Sequence, residues 1–322
     1  MAPLHVSPLA EDIAFGAKVV GVDRAGLGNE ATRQQIKDLF ENCGILVFEN
    51  VEPSGQLQVE LAGVFGPLQE HAMAKVRGGD GDSPPGVYVL NFHPDDTDIF
   101  EVNGKALSGW VPWHFDACYS DRLYRGAVLR ALDIPPQGGL TGFVDGVQLY
   151  NAISPELRAQ FEGRNIVYHP GLMLSKQRFG LPAQFRTIRM KKSSEDLIAS
   201  FDNAPRAVHP AIWRRASGEK VLHVSPWQAA CIEGQENAEG DALLEALCQE
   251  IYVKSKPYWH SWKPTDMLIW DNWRFIHAVS GHDPSHVRRM HRAGIAGDYG
   301  LGRWENAATG SEIFAATSVM LG

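Results

Sequence analysis

The chain has 322 residues, 44% hydrophobic and 21% charged, the make-up of a globular protein long enough to bury a core without disulfides. Its formal net charge is −8 and no Lys/Arg run forms a phosphate-binding stripe, which argues against a nucleic-acid partner. Four scattered cysteines, Cys43, Cys118, Cys231 and Cys248, include no CxxC pair, so a reducing, cytoplasmic setting without a disulfide framework is expected.

Met1 to Val20 lacks a basic segment followed by an apolar run, and no stretch approaches the roughly 20 apolar residues of a membrane span. Neither a signal peptide nor a membrane partner is expected. Ile13–Val22 reads as a strand pair or a bulged strand. Asn29 to Thr32 opens a helix through about Glu41, with Ile36, Leu39 and Phe40 on one face. Gly44–Phe48 reads as a buried strand, and Ser54–Phe65 as a helix stopped by Gly66-Pro67.

The stretch KVRGGDGDSPPG cannot be regular throughout, and a loop or lid is expected over about 72–110, with a strand at Val87–Phe92. Short strands then alternate with turns: Ala127–Leu132, Thr141–Val144, Ile166–Tyr168, Val208–Trp213 and Leu222–Val224. Helices are expected at Val147–Ala152, Pro155–Phe161 and Asp241–Lys254. Strands at Met267–Trp270, Phe275–Ala278 and Arg288–Ile295 close the pattern, and the chain after about Glu305 reads as a loosely held tail. The pattern is that of a single domain, 1–322, of mixed α/β but mainly β class, built as a barrel or sandwich.

Trp113-His114-Phe115-Asp116 carries the first chemistry. Residues two apart on a strand share a face, so His114 and Asp116 can present an imidazole and a carboxylate side by side. A second histidine would complete two histidines and one carboxylate, which leave three positions open on an octahedral iron. Alone, HxD is a weak signal, since most such triplets are structural or solvent-facing. Of twelve histidines, His277 in IWDNWRFIHAV stands out, against a plain reading as a core histidine at a strand end. His282 and His286 lie in the turn-rich GHDPSH segment and are expected at the surface; His291 points away from its neighbours Met290 and Arg292.

Arg288 and Arg292 share a strand face. Two buried guanidinium groups there would meet bound carboxylates, or else pair with Asp or Glu on a neighbouring strand. Trp110, Trp113, Phe115 and Tyr119 form a dense aromatic set. Trp113 and Phe115 read as core, while Trp110, in a less regular stretch, reads as pocket wall. Cys118 reads as a pocket or core residue and not as a ligand.

Taken in order, GAKVVGVD, ILVFEN, VFGPLQEH, WHFD, IPPQGGLTGFVDG, WDNWRFIHAV and RRMHRAGIAGD resemble the taurine dioxygenase family of Fe(II)/2-oxoglutarate oxygenases. That family includes enzymes that attack 2,4-dichlorophenoxyacetate and alkyl sulfates, and the resemblance covers nearly the whole chain. It implies a double-stranded β-helix, a cupin-like jelly-roll with outer helices. It implies His114, Asp116 and His277 as ligands of Fe(II), with 2-oxoglutarate and O2 as cosubstrates. It implies that Arg288, eleven residues past His277, grips the far carboxylate of 2-oxoglutarate with help from Thr141. Arg292 is similar to the family arginine that meets the anionic group of the primary substrate, and His71 to a histidine lining that site. Family members are often dimers or tetramers, so a homo-oligomer is expected.

Two positions depart from a taurine enzyme. Ala74 replaces a tyrosine and Trp110 replaces an asparagine. The expected small-molecule substrate is therefore larger and more apolar than taurine, partly aromatic, with an anionic end for Arg292. The carboxylate of Asp116 favours hydroxylation, because halogenating relatives lack it to make room for halide. Desaturation, epoxidation, ring formation and aryl-ether cleavage use the same cofactors and stay open. A non-catalytic jelly-roll binding module would tolerate loss of a ligand or of Arg288, and all are present.

Overall fold

The computed structural model describes residues 4–69, 83–172, 174–201 and 203–307. In chain order the strands are β1 (His5–Pro8), β2 (Ala17–Val20), β3 (Ile45–Glu49), β4 (Val87–Phe92), β5 (Ile99–Val102), β6 (Lys105–His114), β7 (Gly126–Asp133), β8 (Thr141–Asp145), β9 (Asn165–Tyr168), β10 (Phe185–Arg189), β11 (Ala207–Pro210), β12 (Ile212–Arg214), β13 (Lys220–Leu222), β14 (Ala229–Ile232), β15 (Tyr258–His260), β16 (Met267–Asp271), β17 (Phe275–His282), β18 (Arg288–Ile295) and β19 (Arg303–Trp304). The helices are α1 (Arg24–Leu27), α2 (Glu30–Cys43), α3 (Gly55–Phe65), α4 (Gly146–Ala152), α5 (Pro155–Phe161), α6 (Lys192–Ser200) and α7 (Ala238–Lys254). The fold is mainly β, with helices packed outside the sheets.

One sheet runs β1-β2-β3-β16-β7-β18-β4 and a second runs β10-β5-β6-β17-β8-β15. From β4 to β18 the chain passes repeatedly between the two, and the central neighbours pair antiparallel. A smaller sheet, β14-β9-β11-β19, lies beyond the second.

The period-two alternation of the strands sorts the core into layers. Met267 and Ile269 of β16 pack outward on Ile36 and Phe40 of α2 and on Leu57 and Leu61 of α3. Leu268 and Trp270, their neighbours, face inward and meet Phe143 of β8 and Phe275 of β17 between the two sheets. On the far side of the second sheet, Trp113, Phe115, Val144 and Ile276 join Tyr168 and α7 residues Leu244, Leu247 and Ile251 in a separate core. Trp113 and Phe115 are thus core residues on the face opposite His114, as expected from alternation.

The helix ends follow their capping chemistry. Asn29 is the N-cap of α2, its side-chain oxygen accepting from Ala31 and Thr32, and α2 stops at Gly44 with φ 76°. Ser54 caps α3 by accepting from the Leu57 N–H.

Several expectations change. The described part of the 72–110 stretch holds β4, β5 and the start of β6, and β5 and β6 form a hairpin turning at Asn103 (φ 50°) and Gly104 (φ 78°). Asn-Gly with both residues at positive φ is the favoured tight hairpin turn, and its signal was available in the sequence. Trp110 therefore sits on a regular strand. Val208–Trp213 is two strands, because Pro210 has no N–H to continue a ladder; Ala211 N–H donates instead to the Arg164 carbonyl at 3.0 Å. Of the strand pair or bulged strand expected at Ile13–Val22, one strand forms there, β2, and its antiparallel partner is β1, upstream of that segment, which sequence reading missed. His71, Ala74 and the tail from 308 onward lie outside the described residues. Among the described residues no helix is long and apolar enough to cross a membrane.

Candidate active site

β6 and β17 pair so that His114 stands directly opposite His277, with ring centroids 4.0 Å apart. β6 ends at His114, and Asp116 follows in a turn where Ala117 takes φ 59°. The turn is clamped from β16–β17. Asn272 is fully buried; its side-chain oxygen accepts from the Asp116 N–H at 2.8 Å and its amide donates to the Asp116 carbonyl at 3.1 Å.

Asp116 thereby points to the same side as His114. Their closest atoms, His114 Nε2 and Asp116 Oδ1, are 3.9 Å apart, and His277 Nε2 is 3.7 Å from Asp116 Oδ2. One ligand atom from each of the three residues lies within 4.8 Å of the others, and all three residues are buried. His114 Nδ1 sits 2.9 Å from the Pro112 carbonyl. A carbonyl only accepts, so Nδ1 carries the proton and Nε2 offers a bare lone pair to the site. Burial, foremost, pushes both imidazoles below the ordinary histidine range, which keeps them neutral. Burial alone would raise Asp116, but the Arg292 guanidinium, with lesser help from the histidines, holds it well below the usual carboxylate range. Two neutral imidazole nitrogens and an ionised carboxylate are a donor set suited to a divalent iron.

The two arginines of β18 part company. Arg292 faces Asp116 through both terminal nitrogens, Nη1 to Oδ1 at 2.9 Å and Nη2 to Oδ2. That is an ion pair, as one reading of the sequence had it, but with a carboxylate across the interior and not on a neighbouring strand. Its Nε is buried and has no acceptor among the described residues. Arg288 meets no carboxylate among the described residues; its Nε donates to the Gly139 carbonyl at 3.1 Å. It is only 3% exposed, and burial pushes it down to about 10. A buried cation without a counter-ion is costly, so Arg288 is the group most in need of an anion. Thr141, on β8, is 1% exposed and accepts from the Trp262 indole N–H at 3.0 Å.

A cavity of about 230 Å³ joins these groups. His114, Asp116, His277, Thr141, Arg288 and Arg292 line it, and Trp110 is also among the lining residues. Leu90, Phe92, Phe100, Ile198 and Phe201 give the rest an apolar wall. Trp110 packs on Phe185, with centroids 5.5 Å apart.

The rival histidines fall away. His291 lies on the helix-facing side of β18, its Nδ1 3.0 Å from Arg130 Nη2. His286 is exposed. His282, expected at the surface, is 1% exposed: β17 continues through it, its ring meets Phe92 edge-on, and its Nε2 donates to the His286 carbonyl at 3.1 Å. Cys118 donates to Gln228 at 2.9 Å, and burial pushes its thiol far up, so it offers no thiolate.

Sequence reasoning missed Tyr88, Leu90 and Phe92, although they alternate along an expected strand, β4. It also missed Trp227, which stands edge-on to the His114 ring at 4.9 Å and carries no local signal.

Comparison with known proteins gives a consistent result. A family model described as Taurine catabolism dioxygenase TauD, TfdA family matches residues 5–293. The chain is 28% identical over 302 residues to an (S)-phenoxypropionate/alpha-ketoglutarate-dioxygenase of Sphingobium herbicidovorans, covering 92% of this chain and 97% of that one. It is 26% identical over 311 residues to an alpha-ketoglutarate-dependent 2,4-dichlorophenoxyacetate dioxygenase of Cupriavidus pinatubonensis, covering 90% and 95%. Among solved structures, a taurine dioxygenase from Burkholderia xenovorans matches its fold with a TM-score of 0.65 at 22% identity, over 95% of this chain and 97% of that one.

Proposed function

This chain belongs to the TauD/TfdA family and is an Fe(II)- and 2-oxoglutarate-dependent dioxygenase, and on that premise we propose that it hydroxylates a C–H bond of a small, anionic, partly aromatic acid. The observation that carries the reading is the convergence of the His114–Asp116–His277 donors with Arg288 and an apolar wall in one cavity.

His114, Asp116 and His277 would hold the iron, with the Nε2 atoms of both histidines turned toward the Asp116 carboxylate. Bound iron and 2-oxoglutarate supply the oxidising chemistry, with succinate and CO2 as coproducts. The protein's own part is placement. Arg288 supplies the fixed positive charge for the far carboxylate of 2-oxoglutarate, and Thr141 stands beside the same cavity. Arg292 spends two nitrogens on Asp116, which orients that carboxylate; its free Nε is the donor left for the anionic end of the substrate. Leu90, Phe92, Trp110 and Phe201 hold the apolar body and exclude water. The strand orders β4-β18-β7-β16 and β6-β17-β8-β15 support a double-stranded β-helix, and the two sheets and their shared cavity support a single catalytic domain.

The test is 2-oxoglutarate-dependent succinate release with a panel of acids. Phenoxyalkanoic acids are expected to stimulate release above the substrate-free rate, and taurine is not. Stimulation by taurine with none by aromatic acids would overturn the substrate assignment.

A further inference from the structure

We propose that Trp262 is a positioning residue for the cosubstrate: its indole N–H occupies one lone pair of Thr141 Oγ1 and so turns the Thr141 hydroxyl proton toward a carboxylate oxygen of 2-oxoglutarate. The inference rests on the proposed placement of 2-oxoglutarate beside Arg288 and Thr141.

The local structure dictates the contact. β15 pairs with β8 so that His260 stands opposite Thr141. Two residues on, Trp262 is buried against the Tyr258–His260 side of the same strand pair, its ring edge-on to His260 with centroids 4.5 Å apart. From there its Nε1 reaches Thr141 Oγ1 at 3.0 Å.

The chemistry of the two groups does the rest. An indole N–H can only donate, whereas a hydroxyl has one proton and two lone pairs. The contact therefore runs one way, from Trp262 to Thr141. The hydroxyl proton has to leave on another side of the oxygen. Thr141 is 1% exposed, and among the described residues its O–H has no acceptor. It also lines the cavity alongside Arg288. A buried donor without an acceptor costs stability, so the arrangement is complete only when an acceptor enters the cavity. A carboxylate, which accepts and never donates, is the fitting ligand. A threonine serving merely to satisfy a core indole would need no place on the cavity wall.

The test compares wild type, Trp262→Phe, Thr141→Val and the double variant, with Arg288→Ala as the control for the cosubstrate site. Each is loaded with Fe(II) without oxygen, and the Kd for 2-oxoglutarate is measured by calorimetry, with Tm recorded alongside. Thr141→Val is expected to raise Kd about tenfold to thirtyfold, and Trp262→Phe about fivefold. The double variant is expected to bind no more weakly than Thr141→Val alone, because Trp262 acts through that hydroxyl. A benzothienyl isostere at 262, with sulfur in place of the indole N–H, removes the donor at constant volume and is expected to match Trp262→Phe. If loss of the Trp262 donor weakens binding as much in the Thr141→Val background as in wild type, Trp262 acts by packing and the proposal falls. If Thr141→Val leaves Kd unchanged while Arg288→Ala raises it, the inference falls and the cosubstrate site stands. If neither changes Kd, the cosubstrate site itself is misplaced.

Discussion

The two ends of the cavity are built in different ways. At the donor end, cross-strand pairing of β6 with β17 sets His114 opposite His277, while Arg288 and Arg292 reach the same cavity from β18 in the other sheet. Asp116 is held just past β6 by the doubly bonded Asn272. At the apolar end, the wall combines β4, which pairs with β18, and Trp110 of β6 with Ile198 and Phe201 at α6 and beyond, segments distant in sequence. One strand ladder sets the two histidines, and the apolar wall is assembled from several separate segments. One end should be intolerant of change and the other adjustable.

The largest effect should come from breaking the donor end. His114→Ala and Asp116→Ala are each expected to cut succinate formation below about one hundredth of wild type, since even outer-shell partners of metal ligands cost about tenfold to a hundredfold. Wild-type turnover in either variant would remove the residue from the donor set. Next is the contrast within β18. Arg288→Ala is expected to raise the 2-oxoglutarate requirement about thirtyfold or more, as loss of a buried charge partner does, and to do so more than Arg292→Ala. The reverse order would exchange their roles. The smallest effect on the cosubstrate should come from the apolar end. Trp110→Ala is expected to change kcat/KM for aromatic acids about tenfold in favour of bulkier ones while 2-oxoglutarate binding stays within about twofold. A parallel loss of 2-oxoglutarate binding would show that the two ends are not separable.

The donor end was largely legible in the sequence because strand alternation acts over two residues. WHFD put His114 and Asp116 on one side and Trp113 and Phe115 on the other, and RRMHR did the same for Arg288 and Arg292 against His291. Alternation could not tell that Arg292 faces Asp116 while Arg288 faces no carboxylate, since that depends on which strand lies across the interior. The apolar end was less legible. The glycine- and aspartate-rich run before β4 masked a hairpin whose Asn103-Gly104 turn is itself a strong signal. β10 and α6 have mixed polar sequences, with exposed residues throughout most of β10, so no period stood out. His282 shows the opposite error: turn residues around it suggested exposure, but the ladder of β17 carries it inside. Trp262 on Thr141 required the pairing of β15 with β8, which no local pattern announces.

The central claim is that His114, Asp116 and His277 hold an iron to which 2-oxoglutarate binds under the control of Arg288. The most direct measurement is the visible spectrum of the protein with Fe(II), before and after 2-oxoglutarate is added without oxygen. The account predicts a weak charge-transfer band that appears only with both components, is absent in His277→Ala, and needs more 2-oxoglutarate in Arg288→Ala. No band in the wild-type protein at saturating Fe(II) and 2-oxoglutarate, or an undiminished band in His277→Ala, would contradict it.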